Sequence, residues 1–214
     1  MYKLIIFDLD GTLIDSDLML KATILKLCDL HKPSHIPSDE EIISFSGPPI
    51  YKTLKQLFPF DNPDEMFKEW LKYSPYFYEK YVKLYPDVLQ MLSKLHNKVK
   101  IGVVTNKARD ATNFAFKLVN IEKYIDKSVC GDEVSEYKPD PEGILKLMSS
   151  FGITNKDEVI YVGDAESDGI AARNAGVKFG YCEWSPRKLS NNIKPDENII
   201  DYLSFAEKIL YETN

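Results

Sequence analysis

Four short apolar runs punctuate the chain: Leu4-Ile5-Ile6-Phe7, Ile101-Gly102-Val103-Val104 after Lys100, Val159-Ile160-Tyr161-Val162, and Val177 to Cys182. Continuous runs of this length, bounded by polar or turn residues, read as strands buried on both faces. Ser128-Val129-Cys130 is a weaker candidate and Asn198-Ile199-Ile200 a last one. Between them the apolar positions recur with helical spacing. Helices are expected over Asp87 to Leu95, Ala108 to Val119, and along Ile144, Leu147, Met148 and Phe151. A further helix should close at Ala175-Gly176, and a final one should carry Leu203, Ala206, Ile209 and Leu210. Asp140 is placed to cap the helix of Ile144, with Pro141 at its first position and Gly152 at its end. Strands alternating with helices predict an α/β fold, a parallel sheet with helices on both faces.

The alternation is interrupted between Thr12 and about residue 85. There Leu20, Ile24, Leu27 and His31 form one helical stripe, with Leu18, Ala22 and Leu25 beside it. Ser46-Gly47-Pro48-Pro49 is a loop leading into a short helix of Ile50, Leu54 and Leu57, with Pro48 or Pro49 in its first turn. Met66, Phe67, Trp70, Leu71, Ser74, Phe77, Tyr78 and Tyr81 make a longer pattern, which Pro75 should kink or split. Residues 15–83 therefore read as an inserted, aromatic-rich, all-helical unit, set into a core of 1–14 and 84–214.

At 214 residues with a net charge of -6, the chain has the length of one large domain or a domain plus an insertion. Its acidity argues against a nucleic-acid surface, and an anionic substrate would need local cations. Cys28, Cys130 and Cys182 are odd in number and widely separated, as expected of buried free thiols in a reducing compartment. The first apolar run is too short for a signal peptide and no stretch can span a bilayer, so a cytoplasmic protein, monomer or homodimer, is expected. His31, His35 and His96 lie outside every motif and read as surface or packing residues.

The strand ends carry the chemistry. The first stops at Asp8, with Asp10, Gly11 and Thr12 following; ligands bind beyond the carboxyl ends of parallel strands. In an extended chain Asp8 and Asp10 point the same way, an arrangement that a metal ion or a shared proton must offset; an Asp/Gly turn open to water is the plain alternative. The second strand ends in Thr105-Asn106-Lys107, and the third in Gly163-Asp164 with Asp168 four residues on, on one face if the helix has begun. Lys138 precedes a helix and is the one cation expected to offset Asp8, Asp10 and Asp164. Oxygen ligands of this kind suit Mg²⁺, and hydroxyl, amide and ammonium donors suit a phosphoryl group. Neither G-x-x-x-x-G-K-[ST] nor G-x-G-x-x-G occurs, which argues against P-loop NTPases and dinucleotide enzymes.

Asp8-x-Asp10-Gly11-Thr12, Thr105-Asn106, Lys138-Pro139 and Gly163-Asp164-x-x-x-Asp168, in that order, resemble the four motifs of the haloacid dehalogenase superfamily, close to phosphoglycolate phosphatase-like hydrolases with a helical cap. The resemblance implies a Rossmann-like core, residues 15–83 as the cap, and a Mg²⁺-dependent phosphatase acting on a small phosphorylated metabolite, a phosphoglycolate-like phosphomonoester or pyrophosphate. It implies Asp8 as the nucleophile that forms an aspartyl-phosphate, and Asp10 as acid and base. The Asp8 carboxylate, the Asp10 carbonyl and Asp164 would bind the metal. Thr105, Asn106 and Lys138 would hold phosphoryl oxygens. Asp168 would serve a metal water or position Lys138, and Gly47 would stand in a cap loop that touches substrate. Asp87 stands where relatives often have Gly and reads as a harmless helix start, and Gly180 to Trp184 lacks a Gly-rich continuation common among close relatives.

Two other readings compete. A sugar-phosphate mutase of the beta-phosphoglucomutase type would need a cation in the cap for a second phosphate. Ser46-Gly47-Pro48-Pro49 has none, and Lys52 and Lys55 read as solvated. A non-catalytic regulatory or binding protein on a hydrolase fold is opposed by the intact Asp8, Asp10, Lys138 and Asp164.

Overall fold

A computed structural model describes residues 1–213. Six parallel strands form the central sheet: β1 (Leu4–Phe7), β4 (Lys100–Val104), β5 (Lys127–Val129), β6 (Val159–Gly163), β7 (Lys178–Cys182) and β8 (Glu197–Ile199). Their order is β5-β4-β1-β6-β7-β8, with β1 between β4 and β6. The strand that carries Asp8 is therefore central, and its neighbours end in Thr105 and Asp164.

Side chains of β1 alternate between two apolar layers. Ile5 and Phe7 face a core shared with α5 (Val88–Leu95), α6 (Arg109–Leu118) and α9 (Tyr202–Thr213). Leu4 and Ile6 face one shared with α7 (Glu142–Ser150) and α8 (Glu166–Ala175). The α/β architecture with helices on both faces is thus as expected. Cys28, Cys130 and Cys182 are buried free thiols. No helix among the described residues is long and apolar enough to cross a membrane.

The helical segment joins the core through a two-strand antiparallel ribbon, β2 (Ile14–Asp15) and β3 (Lys83–Leu84). Between its strands lie α1 (Asp17–His31), α2 (Asp39–Ser44), α3 (Ile50–Leu57) and α4 (Pro63–Tyr81). Leu20, Ile24 and Leu27 are buried as expected, but Leu18 and Leu25 are exposed and Met19, Thr23 and Cys28 take the flanking buried positions. His31 lies edge-on to Phe58. The apolar side of this unit belongs to the same cluster as Phe7 and Leu9.

Several local expectations shift. Pro75 does not split α4, which runs unbroken through it. The carbonyl left without its donor is that of Leu71, on the exposed face, where water can replace the lost bond. Pro49 stands one residue before α3, at its N-cap. Pro141 likewise is the N-cap of α7, and Asp140 caps from one position earlier, accepting the Glu142 N–H at 2.9 Å. Asp87 stands directly before α5 with φ +63°, in the left-handed region that glycine enters freely and aspartate more readily than most residues. The short α2, with a capping box between Ser38 and Glu41, was not singled out by the apolar pattern because it buries only Ile42.

Candidate active site

Asp8 follows β1 directly, its N–H donating to the Val162 carbonyl at 2.8 Å. The chain then turns, with the N–H groups of Leu13 and Ile14 both meeting the Leu9 carbonyl at 3.0 Å. The expected extended run through Asp10 does not form. Gly11 has φ +82°, and a Cβ there would lie 2.3 Å from Asp164 Oδ2. This position needs glycine for the turn and also to let Asp164 approach.

The two acids consequently go to different partners. Asp10 accepts from Ser16 Oγ at 2.6 Å and pairs with Lys107 Nζ at 2.7 Å. Asp8 pairs with Lys138 Nζ at 2.8 Å. The carboxylates that converge, within 4.8 Å, are those of Asp8, Asp164 and Asp168.

Lys138, beside a cis peptide to Pro139, also meets Asp168 Oδ1 at 2.7 Å and the Tyr161 hydroxyl at 2.9 Å. Tyr161 donates onward to the Val104 carbonyl at 3.0 Å. Asp168 belongs to α8, which begins at Glu166, so Asp164 precedes the helix and shares no helical face with it. Asp168 Oδ2 accepts the N–H groups of Asp164 and Ala165, at 3.1 and 3.0 Å. Both its oxygens are thereby engaged. Asp168 caps the helix and fixes Lys138, and Lys138 in turn faces Asp8.

Burial opposes the charge on Lys138, but Asp168 and Asp8 outweigh it and raise its pKa. Burial drives the Asp8 carboxyl the other way, up to about 7; Lys138 opposes the rise, and Asp168 and Asp164 add to it. Asp8 Oδ1 is buried, and the Lys138 ammonium at 2.8 Å is its charged partner.

Asp164 receives Thr12 Oγ1 at 3.4 Å, Ser185 Oγ at 3.0 Å and Arg187 at 2.8 Å. Arg187 also pairs with Asp17, in the first turn of α1. Burial raises the Asp164 pKa to about 6 although Arg187 opposes it. The expectation that Lys138 alone offsets the acids is therefore corrected: Lys107 serves Asp10 and Arg187 serves Asp164. Arg187 lies in the irregular stretch after β7, and its partners are 23 and 170 residues away, so no local pattern in the chain could have found it.

Thr105 Oγ1 accepts the Lys107 N–H at 3.2 Å, which leaves its proton for another acceptor. Asn106 spends its carboxamide within the protein. Its Oδ1 accepts the Lys138 N–H at 2.9 Å, and its Nδ2 donates to the Gly47 carbonyl at 2.8 Å. Gly47 thus touches the motif residues directly. It has φ +105° and open space where a Cβ would stand, so the backbone conformation, not crowding, calls for glycine.

Three buried carboxylates lie within 4.8 Å of one another, and burial raises the pKa of two of them. An all-oxygen donor set of this kind, with carboxyls that burial holds partly protonated, fits a hard divalent cation.

The model of the haloacid dehalogenase-like hydrolase family matches residues 5–181. A putative pyrophosphatase PpaX of Caldanaerobacter subterraneus subsp. tengcongensis is 32% identical over 200 residues, covering 92% of this chain and 90% of the relative. The putative pyrophosphatase PpaX of Clostridium perfringens is 36% identical over 219 residues, covering 98% and 99%. A predicted phosphoglycolate phosphatase from Haemophilus somnus has a similar crystal structure, with TM-score 0.83 over 97% of this chain and 98% of that one; at 23% identity this likeness concerns the fold.

Proposed function

The chain belongs to the haloacid dehalogenase-like hydrolase family, and from that premise we propose that it is a Mg²⁺-dependent phosphatase acting in the cytoplasm on a small phosphorylated metabolite, a phosphomonoester or pyrophosphate, through an aspartyl-phosphate. The observation that carries the reading is the Asp8 carboxylate, buried at a strand end beside Lys138 and two further acids. The relatives named pyrophosphatase support the phosphoryl chemistry.

An Asp8 oxygen attacks phosphorus and the bond from phosphorus to the leaving oxygen breaks. Asp10 gives that oxygen a proton. Water then attacks the aspartyl-phosphate, Asp10 takes its proton, and phosphate leaves with Asp8 restored. Thr105 donates its hydroxyl proton to a phosphoryl oxygen and Lys138 supplies positive charge beside Asp8. Asn106 acts by holding Lys138 and Gly47 in register, because its carboxamide is already engaged. The Asp8 and Asp164 carboxylates and the Asp10 main-chain carbonyl would hold Mg²⁺, which when bound neutralises phosphoryl charge. Asp168 positions Lys138. Residues 15–83 act as the cap, and the Gly47 loop closes over the substrate.

The test is phosphate release from pyrophosphate and a panel of phosphomonoesters, with Mg²⁺ or chelator, for the wild type and Asp8→Asn. Metal-dependent release abolished by the substitution is expected. Full activity in chelator, or in the variant, would overturn the reading.

A further inference from the structure

Arg187 joins a site acid to the helical unit, and the steps above make no use of it. Its side chain is 10% exposed. One guanidinium nitrogen donates to Asp164 Oδ2 at 2.8 Å and another to Asp17 Oδ1, so two carboxylates share it. The loop prepares this locally. Ser185 Oγ accepts the Arg187 N–H at 3.0 Å while donating to the same Asp164 Oδ2, also at 3.0 Å. Pro186 stiffens the link between them. Asp164 Oδ2 is thus claimed twice, while Oδ1 receives the Thr12 hydroxyl in a long contact of 3.4 Å.

At the other end, Asp17 opens α1 directly after the β2–β3 ribbon that joins the helical unit to the core. Ser16 beside it donates to Asp10 at 2.6 Å. Two consecutive residues at the junction therefore reach two different acids of the site. Asp164 has one negative charge to offer and two positive claimants, Arg187 and Mg²⁺. An arginine keeps its charge at every working pH, so it cannot withdraw by losing a proton. It can only divide its hydrogen bonds differently between Asp164 and Asp17. Positive charge placed at Asp164 weakens that carboxylate's hold on the guanidinium, and Asp17 is the acceptor that remains.

We propose that Arg187 is a positioning residue that couples Mg²⁺ binding at Asp164 to the seating of α1, by passing its hydrogen bonds from Asp164 to Asp17 as the metal binds. This rests on the metal role given to Asp164 in the reading above. Arg187 then competes with the metal for Asp164, and Asp17 draws the competitor away. In return, metal binding leaves the guanidinium to Asp17 and pins the first turn of the helical unit. The exchange is reciprocal, because any factor by which Asp17 aids Mg²⁺ is the factor by which Mg²⁺ aids the Asp17 contact.

Calorimetry of Mg²⁺ binding to the full chain, without substrate, tests the coupling. Asp17→Asn should weaken Mg²⁺ binding by about 5-fold or more, since the guanidinium is then left to Asp164. Arg187→Met should tighten it, with Ser185 still holding Oδ2. In the Arg187→Met background, adding Asp17→Asn should change the affinity by less than about 2-fold. A simple field effect of the lost Asp17 charge would persist in that background. Asp15→Asn, at the same junction but paired with Lys83 at 3.6 Å, reports on that field and should weaken Mg²⁺ far less than Asp17→Asn does. If Arg187→Met does not fold, Arg187→Lys takes its place: an ammonium lacks the planar fork that spans two carboxylates, so the Asp17→Asn effect should shrink there too. Hydrogen exchange gives the reciprocal readout. The Leu20 N–H donates to the Ser16 carbonyl at 3.0 Å in the first turn of α1. Mg²⁺ should slow its exchange in the wild type and not in Asp17→Asn. Weaker Mg²⁺ binding in Arg187→Met, an Asp17→Asn effect undiminished in either Arg187 background, or Leu20 exchange indifferent to Mg²⁺ in the wild type each overturns the coupling, as does a wild type that binds no Mg²⁺. The phosphatase reading fails differently: Mg²⁺ binds with the expected pattern of affinities and no phosphate is released from any substrate.

Discussion

The floor and the roof of the site are built on different terms. The floor is the carboxyl edge of β1, β4 and β6, where Asp8, Lys138, Asp164 and Asp168 are all nearly or fully buried and every one has charged partners. The roof meets it through the Gly47 carbonyl and the Tyr78 ring, with Arg187 tying Asp17 of α1 to Asp164. On the floor, charges are stacked in a dry setting where each depends on the next. On the roof, a main-chain carbonyl, an aromatic ring and the Asp17 carboxylate held by Arg187 make the contact. Changes below should therefore abolish chemistry or folding, and changes above should retune what is bound.

The largest expected effect is that of Asp8→Asn on turnover, a loss on the order of 10³-fold or more, or about 4 kcal/mol of barrier. The variant should fold, because Lys138 keeps Asp168 and the Asp8 charge is one that burial disfavours. Steady-state kinetics and a melting curve check both halves.

Lys138→Met comes next. It strips the counter-charge from Asp8 and Asp168 at once, and breaking a buried pair by removing one member costs about 3–5 kcal/mol. Urea unfolding should show that loss. A variant as stable as the wild type would mean that the floor's charges do not depend on one another.

Metal and pH sharpen the comparison further. With chelator present, the folded Asp8 and Asp164 carboxyls titrate near 7 and 6, against 3.8 unfolded. Between roughly pH 4 and pH 7 the folded chain then holds more protons than the unfolded one, so metal-free stability should fall as pH rises through that window. Mg²⁺ should restore it, more at pH 8 than at pH 5. Urea midpoints at the two pH values, with and without Mg²⁺, measure this. Midpoints that do not change with pH in chelator would contradict it.

The smallest effect belongs to the roof. Gly47→Ala meets no clash, only the φ of +105°, so about 1–3 kcal/mol of strain is expected. KM values across substrates should shift, while Mg²⁺ affinity measured by calorimetry stays put. A change in metal affinity would show that roof and floor are mechanically one.

The chain by itself determined the sheet, the inserted helices and the acids at the strand ends. Buried parallel strands must be continuous apolar runs, and the residues just past them must face the site, so both are written as local patterns. Asp8, Thr105 and Asp164 were legible for that reason, whereas Lys138 and Asp168 stood out only through the ordered motifs that the chain shares with the family it resembles. Tertiary structure alone decided how they are partnered. Asp8 and Asp10 parted company because the turn begins at Leu9, a matter of backbone conformation. Lys107 read as an ordinary residue at a strand end until Tyr78, from a helix some 30 positions earlier in the chain, closed over it. Arg187 had no local signal, since a guanidinium in an irregular stretch gains its meaning only from carboxylates brought to it across the fold. Apolar periodicity records which side of an element is buried. Charge pairing in a dry interior depends on distances between elements, and those exist only once the chain has folded.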